Sequence, residues 1–476
     1  MNRGPRPGFF YSASQTCDQH PLKPLATLSL QESRQILALA VPILIAELSQ
    51  AAMGFIDTLM AARYGAEDLA AVALGSGIWL PVLISLGGLL MAITPMVANH
   101  AGSDQLRRTR LIFHQGVLIA LFAGAFAWLI LRNMEVVLDL MQVTGSLKIK
   151  TLGYLDALSW GIPGMMLYQG ARSYSEGLGK TQPLMKIALF ALLCNIPLNY
   201  LLIYGKLGFP ELGGVGCGWA TTIVMWIMAL SSGCYLRYSR HFRSLYLISL
   251  PRPRANYLLT ILRIGIPIGF TLLIEVSMFT VIALLIARLG EIVIAAHQIT
   301  LSFTGMVFMI PLSIAMALTI RIGQFNGRKD PLSAAITARN GYALVCCSSV
   351  ISCTLIALLS MQIAAMYSDN SDIIRLASSL LLIAAIFQIP DAIQVASAGI
   401  LRGHKDTAVP LMIVFTAYWL IGLPLGYLLG LTDLIVPATG ARGFWLGMIA
   451  GLSVGAILLL LRYQSIKPKC KRPTGS

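Results

Sequence analysis

The chain has 476 residues, of which 57% are hydrophobic and 12% are charged, and its mean hydropathy is +0.75. Soluble globular proteins carry roughly 25% charged residues, so this composition excludes that class and indicates a polytopic membrane protein. The net charge of +15 comes from Lys and Arg residues in short loops between apolar runs. No motif that reads RNA or DNA accompanies them, so we expect no nucleic-acid partner.

The predicted elements begin with a polar tail at residues 1–35, which lacks the apolar core of a cleavable signal. Runs of about 20 apolar residues follow, and each is long enough to cross the hydrocarbon layer. They predict twelve transmembrane helices, near residues 36–62, 69–99, 112–131, 151–171, 185–204, 215–236, 257–286, 292–320, 341–365, 377–400, 408–430 and 442–461.

The Lys and Arg residues set the expected orientation. Most of them fall in loops that are cytosolic if the N-terminus is inside the cell. Cytosolic loops carry such an excess in multi-pass proteins. We therefore expect a protein of the cell inner membrane with both termini in the cytosol.

The chain repeats itself at an offset of 225 residues. The segment "ILALAVPI" at 36–43 aligns with "ILRIGIPI" at 261–268, and Met91 and Thr94 align with Met316 and Thr319. After a two-residue slip the offset is 227, which aligns prolines and glycines as well as apolar residues. Chance matching of apolar runs would not align such residues.

The repeat predicts an all-α fold of two six-helix lobes, at 36–237 and 257–462. A basic cytosolic linker at 238–256 joins them, and a cytosolic tail at 463–476 ends the chain. Because six is even, both lobes have the same orientation, and a pseudo-two-fold axis along the membrane normal relates them. This architecture suits a secondary transporter that rocks between two open states.

Three acids within the apolar runs are not shared between the halves. Asp57 aligns with Ile282, Glu275 with Gln50, and Asp391 with Met166. An acid at the centre of a membrane helix costs roughly 2.5–3.5 kcal/mol. We expect no Lys or Arg at comparable depth to neutralise them. They therefore predict protonated carboxyls, bound cations or a water-filled cavity.

Polar residues near these acids are candidates for supporting roles. Asn195 and Asn199, one helical turn apart in "NIPLNY", are predicted to supply uncharged oxygens beside Asp57. The alternative for all such residues is interhelical hydrogen bonding without a ligand. The further candidates are Gln50 and Glu47 near Asp57, and Phe387, Gln388 and Gln394 near Asp391.

These stretches together resemble the multidrug and toxic compound extrusion (MATE) family, in its NorM-like branch. The resemblance rests on "MGFIDTLMAARYG", "NIPLNY", "LLIEVSMF" and "QIPDAIQVASAGILRGHKDT", and it extends over all twelve predicted spans. It implies that Glu275 and Asp391 bind the coupling cation in the C-terminal lobe, with Na⁺ as a candidate. It implies a proton or cation site in the N-terminal lobe at Asp57, Asn195 and Asn199. Phe387 departs from relatives that have Tyr at this position, so that hydroxyl ligand is missing.

The resemblance also implies export of amphipathic organic cations, including antibiotics, driven by entry of Na⁺ or H⁺. The NorM-like features favour Na⁺. We expect no other cofactor, contact with membrane lipids, and a monomer. A lipid-linked oligosaccharide flippase of related architecture is the alternative, and it would require a cationic cavity. An enzyme is not expected, because the six His residues are scattered and the eight Cys residues form no CxxC motif.

Overall fold

The computed structural model describes residues 29–239, 242, 252–434 and 437–467. The predicted linker at 238–256, and most of both predicted tails, lie largely outside the described residues. The helices are α1 Leu30–Tyr64, α2 Ala66–Leu90, α3 Ile93–Gly102, α4 Leu106–Arg132, α5 Glu135–Leu140, α6 Gly145–Ser159, α7 Ile162–Gly177, α8 Gln182–Tyr204, α9 Gly213–Tyr238, α10 Ala255–Ala287, α11 Glu291–Arg328, α12 Pro331–Ala365, α13 Ser371–Gly403, α14 Ala408–Phe415, α15 Leu423–Leu431 and α16 Ala441–Ile466.

The helices confirm the predicted all-α membrane fold. Eleven helical segments in the described chain are long and apolar enough to cross a membrane. The broken pair α6 and α7 completes twelve crossings. Large apolar side chains such as Phe122, Leu193 and Leu358 are exposed on the outer helix faces. Because soluble proteins rarely expose so much apolar surface, lipid is the solvent that fits these faces.

Local breaks in the helices have identifiable causes. The fourth crossing breaks between α6 and α7, where Pro163 stands at the start of α7 and supplies no backbone N–H. The eleventh crossing contains a π-helical turn, Thr416–Gly422, between α14 and α15. Such turns widen a helix locally and re-aim its side chains. Neither break is visible in the composition of the apolar runs.

The lobes comprise α1–α9 and α10–α16, and each contributes the start of its first helix to the other lobe. Ile36 and Ala40 of α1 pack in a cluster with Ala317 and Ile322 of α11. Conversely, Ile261 of α10 packs into the core of the N-terminal lobe. The lobes are therefore interlocked along the first part of both helices.

We call the end of the bundle at which the described chain begins and ends the terminal face. Here the Glu32 carboxylate of α1 accepts two hydrogen bonds from Arg321 of α11, at 3.0 and 2.7 Å, and one from Thr337 at 2.8 Å. Lys405 donates to Asn99 Oδ1 at 3.1 Å. These hydrogen bonds connect the two lobes near this face, so the lobes are joined here.

The backbones of the two lobes also touch near the terminal face, in a symmetric way. A Cβ at Gly102 of α3 would lie 2.0 Å from the carbonyl oxygen of Gln324 in α11. A Cβ at Gly327 of α11 would lie 1.9 Å from the carbonyl oxygen of Asn99 in α3. Both pairs are equivalent at the offset of 225, so the two contacts are the same contact made twice. The pseudo-two-fold axis passes between α3 and α11.

The loop after α13 lies on the terminal face and holds a neutral histidine. The Asn326 amide donates to His404 Nδ1 at 3.0 Å, and an accepting ring nitrogen requires the neutral imidazole. Burial lowers the pKa of His404 from 6.5 to about 4. In the next turn of the loop, Asp406 accepts a hydrogen bond from Arg462 at 2.8 Å, within the same lobe.

Candidate functional site

The N-terminal lobe holds a carboxylate bound by three donors. Asp57 lies in the second half of α1 and is 7% exposed. Its Oδ1 accepts from Asn195 Nδ2 at 3.0 Å and from Asn199 Nδ2 at 2.7 Å, while its Oδ2 accepts from Thr221 Oγ1 at 2.9 Å. Asn195 and Asn199 are i, i+4 neighbours on α8, so both amides point to one place. The structure thus brings together the three residues predicted for this lobe.

Two oxygen atoms in this cluster receive no hydrogen bond from the part of the chain that the structure describes. The side-chain oxygens Oδ1 of Asn195 and Asn199 are buried, and both are without a partner among the described residues. A buried acceptor without a donor costs about 1–3 kcal/mol, so a fold retains such atoms when another group can occupy the site. A carboxylate and neutral amide oxygens are the donor set of a hard cation. The cluster fits Na⁺ on its donor chemistry, and it also fits a proton on Asp57.

Thr221 of α9 was not predicted from the sequence. It aligns with Met448 at the offset of 227, so the comparison that isolated the acids also distinguishes this polar residue. Its hydroxyl donates to the second carboxylate oxygen and fixes the rotation of the Asp57 side chain. Thr221 therefore belongs to the N-terminal site.

The C-terminal lobe brings together the two predicted acids. Glu275 of α10 and the buried Asp391 of α13 are near enough for their charges to interact. The hydroxyl of the buried Tyr418 is also within electrostatic range of both carboxylates, and it accepts a hydrogen bond from Gln394 Nε2 at 2.7 Å. Two acids that repel each other inside a membrane favour a bound cation or a shared proton.

Tyr418 is a second residue that the sequence analysis missed. It lies on the π-helical turn Thr416–Gly422, and it aligns with Ala191 in the other half. Phe387 carries no hydroxyl, but the hydroxyl of Tyr418 lies within electrostatic range of the same acids on another helix. Phe387 itself is buried and packs edge-on against Trp445, with ring centroids 5.5 Å apart.

The remaining candidates are placed differently. Gln50 Nε2 donates to the Ala46 carbonyl at 3.4 Å, in its own helix, and no described contact joins it to Asp57. Glu47 pairs with Arg172 of α7. The Gln388 amide nitrogen is buried and has no hydrogen-bond partner in the described segments. Among the described residues, Gln394 is the supporting candidate that is linked to one of the two predicted acid sites, through Tyr418.

The expectation that no cation lies at the depth of the acids is wrong for Glu275. Arg402, in the last turn of α13, interacts electrostatically with Glu275. The position of Arg402 in the sequence places its Cα near a membrane boundary. The long arginine side chain carries its charge several ångströms from that Cα, and this reach is not visible in the spacing of residues.

A sequence model of the MatE family matches residues 42–201 and 267–428, one segment in each lobe. The segments begin 225 residues apart and end 227 residues apart, as the internal repeat requires.

Several solved structures share the fold. One is the eukaryotic MATE transporter AtDTX14, at 19% identity over 91% of this chain and 96% of that chain, with a TM-score of 0.82. A transporter of the MOP superfamily from Pyrococcus furiosus matches at 19% identity, over 95% and 100% of the chains, with a TM-score of 0.84. The bent form of the Vibrio cholerae MATE transporter VcmN matches at 17% identity, over 91% and 97%, with a TM-score of 0.81.

Proposed function

Because this chain belongs to the MatE family, we propose that it is a secondary active exporter of amphipathic organic cations. Entry of Na⁺ or H⁺ drives the export. The observation that carries the proposal is the N-terminal cluster, in which three donors hold Asp57 and two buried amide oxygens have no donor among the described residues. The NorM-like branch and the preference for Na⁺ over H⁺ remain predictions from the sequence.

The two acid clusters have separate positions in the proposed cycle. Glu275 and Asp391, with Tyr418 beside them, bind the coupling ion in the C-terminal lobe. Asp57 with its three donors forms a second ion or proton site. A coupling ion that binds one state of the lobes better than the other shifts the equilibrium between them. Each charge that moves inward gains about 2.3 kcal/mol per 100 mV of membrane potential.

The expected topology supports a direction of transport. The distribution of Lys and Arg supports a cytosolic terminal face in the cell inner membrane. With the lobes joined at that face, the arrangement corresponds to a state sealed toward the cytosol. The drug enters between the lobes from the cytosol or the inner leaflet when this contact opens. The protein acts as a monomer, since each chain carries both lobes.

The test uses purified protein in liposomes loaded with a fluorescent organic cation, with a Na⁺ gradient and a proton gradient imposed separately. We expect one gradient to drive transport of the wild type, and Glu275→Gln, Asp391→Asn and Asp57→Asn to lose at least nine-tenths of the driven rate. Asp156→Asn is the matched control, because Asp156 forms an exposed ion pair with Arg132 away from both clusters. Transport that ignores both gradients would refute the proposal and return the flippase to consideration.

A further inference from the structure

The N-terminal lobe contains a buried ion cluster that the two proposed ion sites do not use. Arg172 of α7 donates through Nε to Glu176 Oε1 at 2.7 Å, and its Nη2 pairs with a carboxylate oxygen of Glu47 on α1. Arg172 and Glu176 are 3% and 2% exposed, and the Glu47 side chain is 19% exposed. Two carboxylates therefore share one guanidinium inside the lobe. When all three groups are ionised, the cluster has one surplus negative charge.

A fourth polar group lies on the same face of α7 and has no partner in the described chain. Tyr168, Arg172 and Glu176 follow one another at intervals of four residues, so their side chains lie along one helix face. The Tyr168 side chain is fully buried, and its hydroxyl makes no hydrogen bond within the described residues. Buried hydroxyls are nearly always paired, so this oxygen indicates a hydrogen-bonding group that the ionised side chains do not supply. The O–H of a protonated carboxyl group would supply it.

The internal repeat shows that the scaffold does not require this cluster. The equivalents of Tyr168, Arg172, Glu176 and Glu47 at the offset of 225 are Ile393, Ser397, Leu401 and Leu272. The C-terminal lobe therefore folds with no acid or base at these positions. The same comparison isolated the three acids of the proposed ion sites, so the cluster carries the same signal of chemistry that only one lobe performs.

A small cavity lies beside this cluster, on the pseudo-two-fold axis between the lobes. Its volume is about 10 Å³, which is about the smallest space that holds one water molecule. The lining residues are Met91, Thr94 and Glu176 of the N-terminal lobe and Met316, Thr319 and Arg402 of the C-terminal lobe. Met91 and Thr94 are the repeat equivalents of Met316 and Thr319, so the halves meet symmetrically here. Glu176 is thus the member of the cluster that faces the other lobe.

No cation of the described chain balances the surplus charge. Arg402 lines the same cavity, but Glu176 forms no hydrogen bond or ion pair with it in the described segments, and its charge does not act on Glu176. Arg172 and Glu47 are the charged groups of the described chain that interact electrostatically with Glu176, and Tyr168 is the other titratable group that acts on Arg172. The helices packed against α7, namely α2, α3, α4, α6 and α9, add none. An uncompensated buried charge is costly, so one of the two carboxyl groups has to be neutral while the cavity is closed.

We propose that Glu47, Arg172 and Glu176 form a proton-binding site that is separate from both coupling-ion sites. One proton binds to a carboxylate oxygen of Glu47 or Glu176. Arg172 stays paired with the carboxylate that remains ionised, so the occupied cluster is neutral. The Tyr168 oxygen is available to accept a hydrogen bond from the new O–H.

The two states of the lobes bind this proton with different affinities. In the sealed state Glu176 faces a closed cavity, where a surplus charge is poorly hydrated, and the proton stays bound. When the lobes part at the terminal face, water reaches Glu176, the charge becomes hydrated and the proton leaves toward the cytosol. A proton that binds the sealed state better stabilises that state, so acidification favours the seal. This step rests on the proposed function for the existence of the two states.

The first experiment counts bound protons without transport. Infrared spectroscopy at neutral pH detects protonated carboxyl groups through their C=O stretch. The full-length background protein lacks the coupling acids, through the substitutions Asp57→Asn, Glu275→Gln and Asp391→Asn. We expect a protonated-carboxyl band that falls at least fourfold when Glu47→Gln or Glu176→Gln is added, because one carboxylate then matches one guanidinium. Arg172→Gln should double the band, since two acids then take two protons, and Arg172→Lys should leave it unchanged.

A purely structural role for the cluster gives a different result. If Glu47 only fastens α1 to α7, the band is absent from the background protein, or it survives in at least one of the two Glu→Gln variants. Either result overturns the proton site. If Arg172→Gln does not fold, the two Glu→Gln variants still decide the count, because each leaves Arg172 with one carboxylate partner.

The second experiment measures how the proton acts on the lobes. Spin labels at Arg107 and Arg328, both exposed on the terminal face, report the separation of the lobes in the same background without native cysteines. We expect the population with long distances to rise at least threefold as the pH is raised. Glu176→Gln should abolish this response and keep the lobes sealed. Asp156→Asn is the matched control, because it neutralises an acid of an exposed ion pair away from the cluster, and it should respond as the background protein does.

Proton release is contradicted by a pH response that survives in Glu176→Gln or that the background protein lacks. Both experiments are independent of transport, because the coupling acids are absent. If no gradient drives efflux by the wild type but the proton count and the pH response are as expected, the proposed function is wrong and the proton site stands. If efflux is driven normally but either Glu→Gln variant keeps the band, the proton site is wrong and the function stands.

Discussion

The replacement of Asp57 tests whether its carboxylate serves ion coupling or only the fold. In Asp57→Ala, the buried amides of Asn195 and Asn199 lose their acceptor. Each unsatisfied buried donor costs about 1–3 kcal/mol, so the variant should lose about 2–6 kcal/mol of stability. In Asp57→Asn, the new amide oxygen accepts from the same two donors, and its NH₂ group donates to the Thr221 oxygen. That variant should stay within about 1 kcal/mol of the wild type.

The assay combines thermal unfolding in detergent with gradient-driven efflux from liposomes. Asp57→Asn should unfold near the wild-type temperature and yet lose at least tenfold in driven efflux, because the titratable group is gone. Asp156→Ala provides the control for loss of a partly exposed acid, and exposed ion pairs contribute only about 0–1 kcal/mol. The reasoning is refuted if Asp57→Ala is as stable as Asp57→Asn, or if Asp57→Asn couples normally.

Three further substitutions test single contacts. Thr221→Val removes one hydrogen-bond donor to Asp57 at nearly constant side-chain volume, and the lost hydrogen bond is worth about 1.5 kcal/mol. The half-saturating concentration of the coupling ion should therefore rise roughly tenfold. An unchanged concentration would show that Thr221 does not belong to the site. Tyr418→Phe should weaken ion binding in the C-terminal lobe and leave the lobe separation as in wild type, and unaltered ion dependence would contradict this. The wild type should become less stable as the pH falls from about 6.5 to about 4, and His404→Gln should not. Burial lowers the pKa of His404 to about 4 in the folded protein, whereas in the unfolded chain His404 takes up its proton near pH 6.5. Between these pH values the unfolded chain binds one more proton than the folded protein. The wild type therefore loses up to about 3 kcal/mol of its free energy of unfolding across this window. Thermal unfolding as a function of pH measures this, and identical pH profiles for wild type and variant would show that His404 is not the titrating group.

Most of the architecture could be predicted from the sequence. A membrane-spanning helix requires about 20 apolar residues, so the apolar runs predict the helices, and the internal repeat predicts the two lobes. The sequence also contained the acids, because chemistry that only one lobe performs appears as a difference between the halves. Thr221 and Tyr418 carry the same signal, with Met448 and Ala191 as their equivalents, and a complete comparison of polar positions would have found them.

Other features required three-dimensional coordinates. The π-helical turn that directs Tyr418 toward the acids is a choice of backbone hydrogen bonding, and composition does not specify it. Arg402 was missed because residue spacing locates a Cα and not the end of a long side chain. The repeat aligned Gly102 with Gly327, but alignment gives equivalence and not contact. Only the fold shows that these two positions bring the lobes together.

The paired contacts of Gly102 with Gln324 and of Gly327 with Asn99 have the form of an isologous dimer interface, in which residue i meets j and residue j meets i. The two lobes thus meet as two identical subunits would, although they are parts of one chain. A homodimer of six-helix subunits could not place a single acid opposite a single base on its own axis, because every residue there would occur twice. Within one chain the two halves can differ at equivalent positions, and so Glu176 lies on one side of this symmetric seam and Arg402 on the other.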